Sequence, residues 1–193
     1  MRISGGAARG IPLRVPPGDA VRPATDGLRQ AVFSSLGARV AGTVFWDLFA
    51  GSGAYGLEAL SRGAAGGIFV EKNAKAAACV QANLAAVGKS LGRELADCQI
   101  AQADALAWMA RPGPGAADLV FIDPPYELIA EMARQLFVSL ETRLAASPGA
   151  LVIFELPGGM ELAPSGWTCL KRLGGKGARQ PGAAIFKKDQ GAP

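Results

Sequence analysis

The stretch Asp47-Leu48-Phe49-Ala50-Gly51-Ser52-Gly53-Ala54-Tyr55-Gly56 decides the fold, because an apolar run passes through a glycine-rich turn into a helix-forming segment. Glycines in such a turn permit positive φ and let a ligand approach the backbone closely. The spacing satisfies G-x-G-x-x-G, and Glu71 closes the next apolar run about 20 residues later, so a nicotinamide oxidoreductase is one reading. Against it, Asp47 stands four residues before the first glycine, where a carboxylate lies badly beside a pyrophosphate. It is better placed to accept from an amine or a water, so a cationic or zwitterionic nucleoside is the better match. Asp47, Phe49, Ala50, Gly51, Ser52 and Gly53 are the binding candidates here.

Downstream the pattern repeats. A helix over 55–62 stopped by Gly63, a strand over 67–71, a helix over 74–87 stopped by Gly88 and a strand over 98–102 are followed by a short helix after Asp104. A strand over 118–122, a helix over 127–144 and a strand over 150–155 complete the series. Upstream lie a strand over 43–49 and a helix capped by Thr25 or Asp26, with Leu28, Val32, Phe33 and Leu36 on one face until Gly37. Continuous apolar strands alternating with helices predict an α/β fold with a doubly wound, mostly parallel sheet. Ile3 to Val15 alternates around Gly5-Gly6 and Gly10, which predicts a small β-hairpin appendage. The expected division is a basic hairpin extension over 1–24 and one main domain over 25–193. In such a sheet the ligand crevice lies beyond the carboxyl ends of the strands.

Three further acids stand at those ends. Glu71 can accept two ribose hydroxyls with its two oxygens. Asp104 can cap its short helix or receive an adenine amino group, and both readings stay open. The segment Leu119-Val120-Phe121-Ile122-Asp123-Pro124-Pro125-Tyr126 is the most informative. Each proline fixes its own φ and restricts the residue before it, so the chain leaves the strand extended and stiff. The Asp123 carboxylate and the Pro124 carbonyl then form two acceptors, which match the two N–H donors of an exocyclic amine on a nucleobase. Tyr126 adds a ring for stacking.

Composition narrows the chemistry. Half of the 193 residues are hydrophobic and 19% are charged, a globular balance. Histidine is absent, which removes Ser-His-Asp hydrolases, Cys-His proteases, His-ligated zinc sites and any imidazole base. Cys79, Cys98 and Cys169 fit neither a disulfide framework nor a metal knuckle; no metal and a reducing cytoplasm are expected. No apolar run nears the roughly 18 residues of a membrane span. Residues 1–40 carry six arginines against Asp19 and Asp26, residues 41–165 carry 8 basic against 13 acidic side chains, and residues 166–193 carry six basic against Asp189. Basic ends around an acidic middle are read either as a solvated surface or as a polyanion-binding face, with arginine the better bidentate phosphate ligand.

As a set, Asp47 to Gly53, Glu71 and Asp123 to Tyr126 resemble the S-adenosylmethionine-dependent methyltransferases that modify nucleobase amines. Arg2-Ile3-Ser4-Gly5-Gly6, Arg9-Gly10, Arg22-Pro23-Ala24-Thr25-Asp26 and Gly51 to Gly63 are similar, more narrowly, to the RsmD-type 16S ribosomal RNA guanine-N2 methyltransferases. The likeness runs from Arg2 to about Glu155. It implies a Rossmann-like methyltransferase fold with S-adenosylmethionine over Asp47, Phe49, Ala50, Gly51, Ser52, Gly53, Glu71 and Asp104. It further implies catalytic roles for Asp123, Pro124 and Tyr126, and RNA contacts by Arg2, Arg9, Arg22 and Arg29. The implied partner is ribosomal RNA or an assembling small subunit, met by a monomeric cytoplasmic enzyme. A DNA adenine-N6 or cytosine-N4 methyltransferase shares the Asp-Pro-Pro-Tyr geometry but needs a duplex-reading element. A non-catalytic RNA-binding protein of the same fold is the remaining reading.

Overall fold

The computed structural model describes residues 1–16, 23–111, 113, 116–178 and 180–189, with side chains in the first helix from Asp26 onward. Arg22 lies outside the described residues. Strand β1 (Val44–Leu48) is flanked by β2 (Gly66–Val70) and β4 (Leu119–Ile122), both parallel to it. Outside these lie β3 (Cys98–Ala101) on β2 and β5 (Leu151–Pro157) on β4, again parallel. The full order is β3-β2-β1-β4-β5-β7-β6, where β7 (Pro181–Lys188) runs antiparallel to β5 and β6 (Trp167–Gly174) antiparallel to β7. The chain proceeds from β1 outward to β3 and then jumps back to β4, so the direction of winding reverses between β1 and β4. A crevice opens at such a reversal.

Side-chain alternation sends the strands' two faces into two separate cores. Phe45, Phe69, Phe121 and Ile153 pack with helices α1 (Pro23–Leu36), α2 (Ala54–Ser61) and α3 (Ala74–Leu91). Trp46, Leu48, Val70, Val120 and Phe154 pack with α4 (Ala105–Ala110) and α5 (Ile129–Arg143) on the other face. Burial on both sides explains why β1, β2, β4 and β5 read as apolar runs with few polar positions.

Four sequence-based expectations change. Helix α3 continues through Gly88 to a left-handed Gly92, because at Gly88 the missing side chain makes room for the returning chain at Arg93 and Leu95. Helix α5 begins at Ile129, after a 3-10 turn over Tyr126–Leu128. Beyond β5 the sheet gains the antiparallel pair β6 and β7. The amino-terminal hairpin is reduced to one bridge, between Arg2 and Pro12, and it is no appendage: Ile3, Ala8 and Leu13 are buried in the main core. Its polar groups are fastened to α2. Ser4 donates from N–H and Oγ to Glu58, each at 2.7 Å, and the Ala8 N–H donates to Ser61 Oγ at 2.9 Å.

Helix α2 lies flat on the sheet at Gly56, where an added Cβ would sit 2.5 Å from Phe45 Cε2 and also against Phe69 Cε1. Gly27, in the exposed face of α1, has open space at the same position. Gly27→Ala should therefore raise Tm slightly, as helix propensity alone favours alanine by about 1 kcal/mol. Gly56→Ala should lower Tm by several degrees, because overpacking two rings held in the core costs about 1–3 kcal/mol. Equal responses of the two variants in thermal denaturation would contradict the close packing of α2.

Candidate active site

The strand parity that builds the two cores also builds the site. Phe45 and Asp47, Phe69 and Glu71, Phe121 and Asp123, and Ile153 and Glu155 are successive positions on one face of the sheet. Each of these four inner rows thus carries a carboxylate at or near the carboxyl edge, Asp47 and Glu155 inside β1 and β5, Glu71 and Asp123 one residue past β2 and β4. All four acids line one cavity of about 620 Å³ under the turn between β1 and α2. Arg29 and Lys72 also reach its wall. An excess of carboxylates over cations suits a positively charged or hydrogen-donating ligand better than a pyrophosphate.

The turn is held by two of these acids. Asp47 Oδ2 accepts the Gly56 N–H at 2.9 Å, while Glu71 Oε2 accepts the Gly51 N–H at 2.8 Å and its Oε1 accepts the Asn73 N–H at 2.7 Å. Asp47 is buried, and burial pushes its carboxyl well above the ordinary value of 3.8, with the Gly56 hydrogen bond opposing and Asp123 and Glu71 adding to the rise. Phe49 is the described non-glycine residue with positive φ, at 64°, a conformation that costs about 1–3 kcal/mol. It lines the cavity together with Ala50, Gly51 and Ser52. A Cβ on Gly51 would meet only the Phe49 carbonyl, at 4.0 Å, so its inner side is open to a ligand.

Gly53 differs from that expectation. Its φ of 80° starts α2, and a Cβ there would face Leu57, Val80 and Phe69 in the core, so Gly53 shapes the turn from behind. Asp104 caps α4 by accepting the Ala107 N–H at 3.1 Å through Oδ1, between Ala103 and Ala105 of the cavity wall. Asp123, Pro124 and Tyr126 do line the cavity. The ladders of β4 end at Ile122, so the Pro124 carbonyl stands outside the sheet as expected.

Among the arginines, Arg2 and Arg9 are exposed. Arg29 is 1% exposed; it pairs with Asp26 at 3.0 Å and Glu58 at 3.4 Å and donates to the Arg2 carbonyl at 2.6 Å. It is a buried tie inside the protein that meets the outside only at the cavity wall, unlike the exposed Arg2 and Arg9. Tyr55 and Glu155 are among the cavity residues that the sequence reading did not single out. Tyr55 is the second residue of α2, within the glycine-rich segment, and Glu155 ends the strand expected over 150–155, although β5 runs on to Pro157. Among the described residues no cluster of acids and thiols could hold a metal ion, and no helix is long and apolar enough to cross a membrane.

A doubly wound sheet with this strand order, a glycine turn after β1 and Asp-Pro-Pro-Tyr after β4 define the class of α/β methyltransferases. A family model described as Conserved hypothetical protein 95 matches residues 1–177. Ribosomal RNA small subunit methyltransferase D of Escherichia coli K12 is 31% identical over 170 residues, 87% of this chain and 81% of that protein. The chain belongs to this family. The structure of an Escherichia coli protein assigned to the methyltransferases, yhhF, superposes with a TM-score of 0.81 at 29% identity, over 98% of both chains. The methyltransferase SMU.776, solved with S-adenosylhomocysteine, shares the fold at a TM-score of 0.69 and 16% identity, over 86% of this chain and 50% of that one.

Because the native carboxyl of Asp47 holds its proton to higher pH than the unfolded one, the native state binds more protons between 3.8 and the raised native value. Stability from this group is therefore lost as pH rises through that window. Asp47→Asn keeps an oxygen for the Gly56 N–H and has no proton to lose. Its Tm relative to the parent should climb as pH rises from 4 toward 8; a difference that stays flat with pH would show that Asp47 is not held in this way.

Proposed function

We propose that the protein transfers a methyl group from S-adenosylmethionine to the exocyclic N2 amine of a guanine in small-subunit ribosomal RNA. The observation that carries the reading is one cavity shared by the Gly51 turn, Glu71 and the Asp123-Pro124-Pro125-Tyr126 segment. Ribosomal RNA as substrate rests on the relative named above. The residues fit the donor: Gly51 and Ser52 offer an open backbone surface, Glu71 offers carboxylate oxygens to ribose hydroxyls, and the acidic wall favours a sulfonium. When bound, that donor supplies an already activated methyl group.

The protein's own task is then placement. A guanine amine is a poor nucleophile because its lone pair is delocalised into the ring. Asp123 and the Pro124 carbonyl take its two N–H groups, orient the nitrogen, and stabilise the positive charge that grows on it. Tyr126 stacks on the base, which must come from an unpaired or extruded position. Positioning of this kind is worth on the order of 7–11 kcal/mol in well-oriented cases, so no histidine base is needed. The exposed Arg2 and Arg9 contact phosphates outside the cavity; Arg22 belongs to the same block in the sequence.

Two variants separate the roles. With labelled donor and unmodified small-subunit RNA or particles, nucleoside mass spectrometry of the parent should find N2-methylguanosine. Asp123→Ala should lower kcat more than tenfold, a loss above about 1.4 kcal/mol, with donor affinity nearly intact. Glu71→Ala should weaken donor binding in calorimetry. Intact turnover in the first or intact affinity in the second overturns that residue's role.

If the exposed arginines meet phosphates, RNA affinity falls by about 0.7 log units per contact for each tenfold rise in salt, for single-stranded segments. Arg2→Ala with Arg9→Ala should make the log-log slope shallower by about 1–1.5 units and leave donor binding unchanged. A parental slope in the double variant would remove the amino-terminal segment from the RNA interface.

A further inference from the structure

Tyr55 and Glu155 take no part in the chemistry above, yet both face the cavity. Glu155 is 3% exposed on β5; Ile122 pairs with Phe154, so Asp123 and Glu155 each follow one member of that last pair of the β4–β5 ladder, and both line the cavity. The Tyr55 hydroxyl donates to Glu155 Oε2 at 2.8 Å from the first turn of α2. The Tyr55 ring is itself fixed, stacked on Phe121 at 5.3 Å and beside Phe33 at 6.2 Å. Burial and the neighbouring carboxylates Glu155 and Asp123 push its phenol up, so it remains a donor. A carboxylate whose direction is set in this way, next to the group that takes the amine, is placed for a second donor on the same ligand.

Guanine carries such a donor. Its N1–H stands beside the 2-amine on one edge, whereas adenine and 2-aminopurine present a lone pair at N1. We propose that Glu155 accepts the N1–H of the target guanine and thereby determines base specificity, with Tyr55 as its positioning residue. The proposal rests on the guanine-N2 reading. A base with a lone pair at N1 sets that pair against a buried carboxylate and is rejected, since a site built to hydrogen-bond discriminates strongly against an analogue lacking the donor. A plain structural role for the Tyr55–Glu155 pair makes no such distinction between bases.

The test uses small-subunit RNA, free or assembled with its proteins, carrying guanosine or 2-aminopurine ribonucleoside at the position the parent methylates. The parent should prefer guanosine by at least about tenfold in kcat/KM. Glu155→Gln, whose amide can turn either a donor or an acceptor to N1, should shrink that preference to within about threefold while donor affinity stays parental. Tyr55→Phe, which leaves Glu155 in place but frees its orientation, should shrink it in the same direction. A ratio that survives in both variants, with activity on the two bases falling together, overturns the proposal, as does a parent with no preference. A parent that methylates no guanosine at all overturns instead the guanine-N2 reading beneath it.

Discussion

Two hydrogen bonds hold the rest of the site in place: Asp47 to the Gly56 N–H and Glu71 to the Gly51 N–H. They join the ends of two neighbouring parallel strands to the start of one helix, in a region where Phe49 and Gly51 both adopt positive φ. Such a turn is strained and would relax if its amides had only water to satisfy them. Burying the Asp47 carboxylate costs free energy, and its raised pKa is the sign of that cost. The cost is met because the same contact fixes α2 over Phe45 and Phe69, and α2 carries both Tyr55 and Glu58.

Glu58 extends this constraint outward. It is fully buried and receives Ser4, Arg29 and Arg62, the last at 2.8 Å from the end of its own helix, so the amino-terminal segment and α1 converge with α2 on one carboxylate. Replacing buried ion pairs by apolar groups is often neutral for stability, so their presence is better explained by what they position. Here they press the amino-terminal segment onto α2 until Met1 meets Ser52 at the cavity rim. The basic block that reads as an RNA-binding arm is therefore two things at once. Arg29 is spent inside the protein, and only the outward arginines remain for a polyanion.

The parallel half of the fold was legible because each strand is buried on both faces and each helix shows a stop. The antiparallel half was not. Strand β6 is exposed along most of its length and carries Lys171 and Arg172, so neither alternation nor an apolar run marks it; its partner β7 supplies the pairing. The glycine signals were ambiguous for a related reason. Gly88 and Gly92 look equivalent in sequence, but only the second has a left-handed φ, and the first serves a close contact that sequence does not display. In the site, Glu71 and Asp123 are legible as strand-end acids, while Asp104 obeys the same rule and caps α4. What separates them is distance from the ladder: Glu71 and Asp123 stand one residue past β2 and β4, whereas Asp104 stands three residues past β3, at the start of α4. Asp47, Glu71 and Asp123 continue the inner row of their strands, and Glu155, which was passed over, does so as well.

Strand parity accounts for the contrast between an acidic cavity and basic ends of the chain. A protein acting on a polyanion gains affinity from cations, but cations lining the reaction cavity would draw phosphate into it. Alternation places the four carboxylates on one face at one edge of the sheet, where they outnumber Arg29 and Lys72 on the same wall and favour a cation or an N–H donor over a phosphate. In the proposed reaction both ligands satisfy this filter, a sulfonium on one side and the donor edge of guanine on the other. In the same proposal the backbone that carries the guanine is held by arginines beyond the rim. Specificity for a base, rather than for the charged chain it hangs from, then follows from the placement of acceptors alone, and a chain without a single histidine has all the groups the chemistry requires.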